Sequence, residues 1–227
     1  MARIIVITGT SKGIGIELAK YYLQKGDMVV GCARSQNNIK DKNYRHFVLD
    51  VSDERAVVDM IREVKTEFNK IDILINNAGI ASMNHFLTTS FESVKKVFST
   101  NLLGTFLFSR EVGKIMMRQK FGSIVNYTTV ASALRLEGEA IYAASKSAIE
   151  NLTQTLSKEL APFNITVNAI GPTPVKTDLI KAVPQDKIDA LLEKQAIKRL
   201  GNFEDIKNVI DFYIDEKSKF ITGQILY

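Results

Sequence analysis

The chain has 227 residues, 45% of them hydrophobic and 24% charged, enough to bury a substantial core in one α/β domain. No run approaches the roughly 18 apolar residues that span a bilayer, and residues 1–8 lead into glycine without a signal-peptide core, so a soluble, cytoplasmic protein with no membrane partner is expected. The lone Cys32 excludes an internal disulfide and reads as a buried strand residue; with two scattered histidines there is no metal-site spacing, and no metal is expected. The formal charge of +5 and pI near 9.1 come from dispersed Lys and Arg, without the basic run or interleaved aromatics of a nucleic-acid binder. That pattern implies local phosphate contacts and no nucleic-acid partner.

Short β-rich apolar runs alternate with longer helical patterns. Arg3–Thr8 reads as the first strand and Ile14–Lys25 as the first helix, ended by Gly26. Strands over Met28–Ala33 and His46–Leu49 precede a helix over Asp53–Asn69 with Ser52 as its N-cap. Then come a strand at Ile71–Ile75, a long helix at Phe91–Gln119, a strand at Ser123–Tyr127, a second long helix at Glu139–Ala161 and a strand at Ile165–Ile170. Residues 171–201, with three prolines and a mixed amphipathic stretch, read as a flap over the site. Asn202 caps a last helix, Phe203–Asp215, and Ile221–Leu226 forms the final strand. The alternation implies right-handed βαβ crossovers and one doubly wound parallel sheet covered by helices on both faces. Ligands then belong at the carboxyl ends of the strands.

The turn between the first strand and first helix is Thr8-Gly9-Thr10-Ser11-Lys12-Gly13-Ile14-Gly15. Its glycines let the backbone approach a pyrophosphate, whose charge suits the free N–H groups of a helix N-terminus. The spacing is G-x-x-x-G-x-G, not the common G-x-G-x-x-G, so position after the first strand carries the inference of a dinucleotide. Arg34 after the second strand and Lys12 within the turn favour the 2′-phosphate of NADP(H) over the free ribose of NAD(H). Asp50, ending the third strand, can accept from the adenine amino group. Downstream, Tyr142 and Lys146 stand one helical turn apart, suited to proton transfer beside a bound dinucleotide. The same spacing at Tyr21/Lys25 and Tyr213/Lys217 reads as ordinary helix surface, so context and not the pair carries the signal.

With these pieces in order, the chain resembles the short-chain dehydrogenase/reductase family along almost its whole length, closest to the 3-oxoacyl-carrier-protein reductase type. The motifs are the glycine turn, Leu49-Asp50-Val51-Ser52, Asn76-Asn77-Ala78-Gly79, Asn101, Tyr142-x-x-x-Lys146 and Ile221-Thr222-Gly223-Gln224. The resemblance implies a Rossmann-like sheet of about seven strands, nicotinamide-dependent carbonyl or alcohol chemistry, and a homodimer or homotetramer. It implies that Tyr142 is the general acid, its phenol lowered from about 10 toward neutrality by the charge of Lys146. Lys146 would also hold the nicotinamide ribose, and Asn101 a water that relays protons to it. The catalytic set becomes Tyr142, Lys146, Asn101 and Thr129, the last standing where the family has a substrate-orienting serine; Thr128 or Ser132 is the alternative hydroxyl. Gly9, Ser11, Lys12, Gly13, Ile14, Gly15, Arg34, Asp50, Val51, Asn77, Ala78, Gly79, Tyr142, Lys146, Pro172, Val175 and Thr177 form the expected cofactor site.

Three features depart from the family pattern: Thr129 for serine, Pro172-Thr173 where relatives often have Pro-Gly, and few residues after Gln224. The two long helices correspond to the family's paired dimerisation helices, with Phe106, Phe108, Ile149 and Leu152 as apolar surface. The leading expectation is an NADP(H)-dependent reductase of a small-molecule ketone, with a 3-oxoacyl thioester on an acyl carrier as a candidate substrate. A sugar or polyol dehydrogenase, and a non-catalytic NADP(H)-binding sensor or structural protein, stand as alternatives.

Overall fold

A computed structural model of the chain describes residues 2–175 and 185–227. In chain order the principal elements are β1 (Ile4–Thr8), α1 (Gly13–Gln24), β2 (Met28–Ala33), β3 (Tyr44–Val48), α2 (Glu54–Phe68), β4 (Ile73–Asn76), α3 (Phe91–Phe98), α4 (Gly104–Gln119), β5 (Gly122–Tyr127), α5 (Val130–Leu134), α6 (Ala140–Leu160), β6 (Ile165–Ile170), α7 (Gln185–Lys194), α8 (Phe203–Ile214) and β7 (Ile225–Leu226). Seven parallel strands form one sheet in the order β3-β2-β1-β4-β5-β6-β7. The strand order reverses between β1 and β4, the crevice where ligands of such sheets bind.

Alternate side chains of each strand feed two cores. Ile4 and Val6 join Val57 and Met60 of α2 and Phe108 and Met116 of α4 on one face, while Ile5 and Ile7 join Leu18 and Tyr22 of α1 and Ile210 of α8 on the other. Cys32 is fully buried in β2, as expected. A buried polar chain runs across the sheet: Asn76 Nδ2 donates to Ser109 Oγ (3.0 Å) and Asn126 Oδ1 (2.8 Å), and Asn126 Nδ2 donates to Thr153 Oγ1 (2.9 Å). Unpaired, such groups would each cost about 1–3 kcal/mol, so the chain fixes how α4 and α6 sit on β4 and β5.

The structure corrects several sequence expectations. Helix Phe91–Gln119 is interrupted at Ser99–Leu103 by a π-helical turn, whose end is marked by the Gly104 N–H donating to Ser99 O. A slip of this kind hides in a 3.6-residue periodicity. Asp53, not Ser52, caps α2: its carboxylate accepts from Ala56 N–H at 3.1 Å, because the Ser52 hydroxyl and N–H are both engaged by Asp50 (2.7 and 2.9 Å). The last strand is only Ile225–Leu226, since Asn168 and Thr222 side chains replace ladder bonds along residues 221–224. Asn202 does cap α8, in a reciprocal capping box with Asp205. Helices α5 and α7 were not foreseen, and α7 falls within the expected flap.

Tyr127 places its ring in the core beside Ile5, Ile7 and Val125, and its hydroxyl finds no partner among the described residues. Burial drives that phenol far above its ordinary range. Tyr127→Phe is therefore expected to stabilise the fold by about 1 kcal/mol, read as a higher urea midpoint at unchanged slope; a lower midpoint would show that the hydroxyl is satisfied.

Candidate active site

The glycine turn is built by close approach. A Cβ on Gly15 would stand 2.2 Å from Gly9 O and 2.5 Å from Asn77 Nδ2, and Gly9 itself has φ 79°. Asn77 Nδ2 donates to Thr8 O (2.9 Å), Ala78 N–H to Thr8 Oγ1 (2.9 Å), and the N–H groups of Gly9 and Thr10 to Cys32 O (2.8 and 3.1 Å). The turn is thus held from β2 on one side and β4 on the other. Lys12, at the N-cap of α1, makes no side-chain cap bond to the first helical turn, whose N–H groups have no acceptors within the helix.

These groups open onto a cleft of about 1130 Å³ along the carboxyl edge of the sheet. Gly9, Ser11, Lys12, Gly13 and Ile14 line one end, with Arg34 and Ser35 after β2 and Asp50 and Val51 after β3. Burial opposes ionisation of Asp50, but the Ser52 hydrogen bonds and the Arg34 charge outweigh it and hold the carboxyl below its usual range. Asn77, Ala78 and Gly79 form the middle, and Tyr142, Lys146, Thr129, Pro172 and Val175 the far end. An elongated dinucleotide fits this donor set: an uncapped helix N-terminus with glycine-close backbone for a pyrophosphate, cations at the β2 end, and a hydroxyl, a phenol and an amine at the other.

At that far end every reactive group is shielded from water. Tyr142 is 9% and Lys146 4% exposed. Burial pushes the Tyr142 phenol up to about 12, with a hydrogen bond to Thr129 pulling the other way and Glu139 adding to the rise. Burial lowers Lys146 to about 8; its Nζ donates to Tyr127 O at 2.7 Å and lies 6.0 Å from the Tyr142 ring centre. The Tyr142 phenol is shifted up rather than toward neutrality, because burial outweighs the other influences on it. The phenol is a held proton, next to a hydroxyl.

Thr129 is the hydroxyl that meets Tyr142; its Oγ1 also accepts from Ala131 N–H at 3.3 Å as the N-cap of α5. The alternatives, Thr128 and Ser132, both turn toward Glu150. Two expected residues fall outside the cleft lining. Gly15 is buried behind the turn, where it permits close packing. Asn101 is fully buried, with Oδ1 accepting from Ile80 N–H (2.8 Å) and Nδ2 donating to Ile80 O and Ser145 Oγ (both 3.0 Å). Its side chain anchors the segment after β4 rather than facing the cleft. Thr177 lies outside the described residues, as does part of the expected flap. The sequence reading missed Met83, Leu136, Ile188 and Leu191, which wall the cleft beyond Tyr142, because no motif marks them.

Comparison with known proteins agrees with this geometry. A family model described as enoyl-(acyl carrier protein) reductase matches residues 9–227. The chain is 35% identical to a 3-oxoacyl-[acyl-carrier-protein] reductase, FabG, of Staphylococcus epidermidis, covering 100% of this chain and 97% of that protein. It is 31% identical to FabG of Escherichia coli, covering 99% and 95%. Among solved structures, ElxO with NADP bound superposes with a TM-score of 0.91 at 29% identity (100% and 96% covered). A 4-hydroxyisoleucine dehydrogenase complexed with NADH superposes at 0.89 and 32% (99% and 95%). Fold and site together define a dinucleotide-dependent oxidoreductase. The chain belongs to the short-chain dehydrogenase/reductase family.

Proposed function

We propose that this protein is an NADP(H)-dependent reductase that converts a ketone to a secondary alcohol, with a 3-oxoacyl thioester on an acyl carrier as its substrate class. The observation that carries this reading is the pairing of the Tyr142 phenol with the Thr129 hydroxyl at the deep end of a cleft whose opposite end is shaped for phosphate. When bound, the nicotinamide supplies the hydride. The protein's own groups do the rest. Thr129 hydrogen-bonds and orients the carbonyl oxygen, and Tyr142 delivers its proton to that oxygen as negative charge develops there. Lys146, still charged below about pH 8, supplies the nearby positive charge that stabilises the phenolate left behind.

Arg34 beside the Asp50 end, with Lys12 in the turn, supports NADP(H), the form bound by ElxO, over the NADH of the 4-hydroxyisoleucine enzyme. The apolar wall of Met83, Leu136, Ile188 and Leu191 supports an acyl chain. The same segments also line the cleft with Arg135, Glu137 and Lys194, which keeps as a second reading the sugar chemistry suggested by a 26% identical aldohexose dehydrogenase of Thermoplasma acidophilum (TM-score 0.90, 100% and 92% covered). The acidic carrier this reading invokes is compatible with a net charge of +5. We also take the protein to be cytoplasmic and a homodimer or homotetramer. Among the described residues no helix is long and apolar enough to cross a membrane. Phe91, Leu103 and Phe106 are 75%, 50% and 41% exposed along α3 and α4, whereas Phe108 and Ile149 are used by the monomer core.

Three outcomes test the reading. NADPH oxidation with acetoacetyl-coenzyme A should exceed that with simple ketones or hexoses, and Tyr142→Phe should lower kcat by about 10²- to 10⁴-fold; turnover untouched by the substitution would remove Tyr142 from the chemistry. Arg34→Asp should weaken NADPH more than NADH, with roughly 1.5–3 kcal/mol lost from the charge-assisted phosphate contact, whereas equal losses would take Arg34 out of the phosphate site. Finally, kcat/KM for NADPH should be level near neutrality and fall above pH about 8 as Lys146 loses its proton, Tyr142 being still protonated there. Lys146→Arg should remove that alkaline limb, since guanidinium does not titrate in this range.

A further inference from the structure

Glu150 sits one helical turn beyond Lys146 on α6, half-buried, and no motif includes it. Its Oε1 accepts from Ser132 Oγ at 2.5 Å and from Thr128 Oγ1, the hydroxyls just before Thr129 and in the first turn of α5 after it. The Tyr227 phenol reaches the same carboxylate; burial and then Glu150 push that phenol up to about 12, with a hydrogen bond to Ser132 pulling the other way. A carboxylate is the strongest acceptor in reach of either hydroxyl: Thr128 Oγ1 lies 3.4 Å from both Ser132 Oγ and Lys146 O, and the other acceptor near Ser132 Oγ is the neutral carbonyl Thr129 O at 2.7 Å. Each hydroxyl has one proton to give, and both are drawn to one oxygen. Neither Thr128 nor Ser132 then has a donor left for a substrate, and Thr129 alone turns its hydroxyl to Tyr142.

The backbone around Thr129 is held by few bonds, two of them from Ser132, whose N–H and hydroxyl meet Thr129 O at 3.2 and 2.7 Å. Thr128 N–H donates to Ile170 O at 2.8 Å, Val130 N–H to Pro172 O at 3.3 Å, and the five residues of α5 begin immediately after. A rotation of this short loop would exchange which of three neighbouring hydroxyls faces the phenol. We infer that Glu150 is a positioning residue that clamps Thr128 and Ser132 through its carboxylate and thereby sets Thr129, and only Thr129, against Tyr142. The inference deepens the reductase reading of the same site and rests on it for its kinetic consequence; the clamp itself is a matter of geometry and can be read without turnover.

The test is a pair of single variants and their double, Glu150→Leu, Thr129→Val and both together, with Glu150→Gln as the conservative control. In steady-state reduction of acetoacetyl-coenzyme A, Glu150→Leu should lower kcat roughly 10- to 100-fold while the KM for NADPH stays near wild type. The double variant should lose no more than Thr129→Val alone, because both act through one hydroxyl. Glu150→Gln, which keeps an acceptor oxygen, should recover most of the rate. The second readout is fluorine NMR of protein carrying 3-fluorotyrosine, with the Tyr142 signal identified by its loss in Tyr142→Phe. That signal should shift in Glu150→Leu as it does in Thr129→Val, with no further shift in the double. Losses that multiply in the double, or a Tyr142 signal unmoved by Glu150→Leu, would overturn the clamp. If wild type does not reduce the ketone at all, the reductase reading fails, and the fluorine signal alone decides for or against the clamp.

Discussion

Everything that makes the cleft a cleft depends on α1 meeting the end of β1 with no room for a methyl group. The 2.2 Å that would separate a Gly15 Cβ from Gly9 O is far inside any van der Waals contact, so the helix can be seated this deep only with hydrogen at that position. The seat is then locked from the side, since Asn77 Nδ2 both fills the space against Gly15 and holds Thr8 O. That lock passes along the chain to the reactive end. The segment following Asn77 runs to Gly79, where a Cβ would stand 3.3 Å from Asn101 Oδ1 and 3.4 Å from Lys146 Nζ, and to Ile80, whose N–H and C=O are both gripped by Asn101. One short stretch after β4 therefore joins the phosphate end of the site to its amine.

At the amine end the governing quantity is dehydration. The fall of Lys146 from about 10.5 to about 8 reflects a burial penalty of roughly 3 kcal/mol for the ammonium, which donates to the Tyr127 carbonyl. The same dryness raises Tyr142 to about 12. For an acid that must give its proton to an alkoxide-like oxygen this is no obstacle. Hydroxide-like basicity corresponds to a pKa of about 16, so transfer from a phenol near 12 is still downhill by several kcal/mol. A phenol lowered to neutrality would be needed for the reverse direction, where it must first be a base.

Much of this was legible in the sequence, for reasons that can be named. Strand cores such as Ile4–Thr8 and Ile165–Ile170 are short apolar runs buried on both faces, and the glycine turn, Tyr142 and Lys146 are marked by residue types that local physics restricts. Asn101 was found but its posture was not, because the π-helical turn that presents it to Ile80 shifts the register by one residue without changing the hydrophobic pattern. The cap of α2 was misplaced by one position because Ser52 and Asp53 are both good caps, and only the competing claim of Asp50 on Ser52 decides between them. The substrate wall was invisible for a different reason: Met83, Leu136 and the α7 pair Ile188 and Leu191 come from three separate segments and converge only in three dimensions.

The pairs with the same spacing as Tyr142 and Lys146 show what the motif lacks by itself. Tyr21 and Lys25 both engage Asp211, the phenol as a hydrogen-bond donor and the lysine through an ion pair at 2.8 Å on a partly exposed surface, so both are tied to an acid. Tyr213, read from sequence as surface, is instead core, its hydroxyl against Ala169 O at 3.3 Å. Along α6 the buried face is neither of these. Tyr142, Lys146, Glu150 and Thr153 form a polar stripe at helical spacing, and each grips a different part of β5 or the loop after it: Thr129, Tyr127 O, Thr128 with Ser132, and Asn126. A buried helix face normally carries apolar residues, and four consecutive turns of polar ones are tolerable only because each finds its partner. The helix acts as a ruler against which the strand end is set. The reactive pair works at that spacing because the turns on either side of it hold the opposing loop in register.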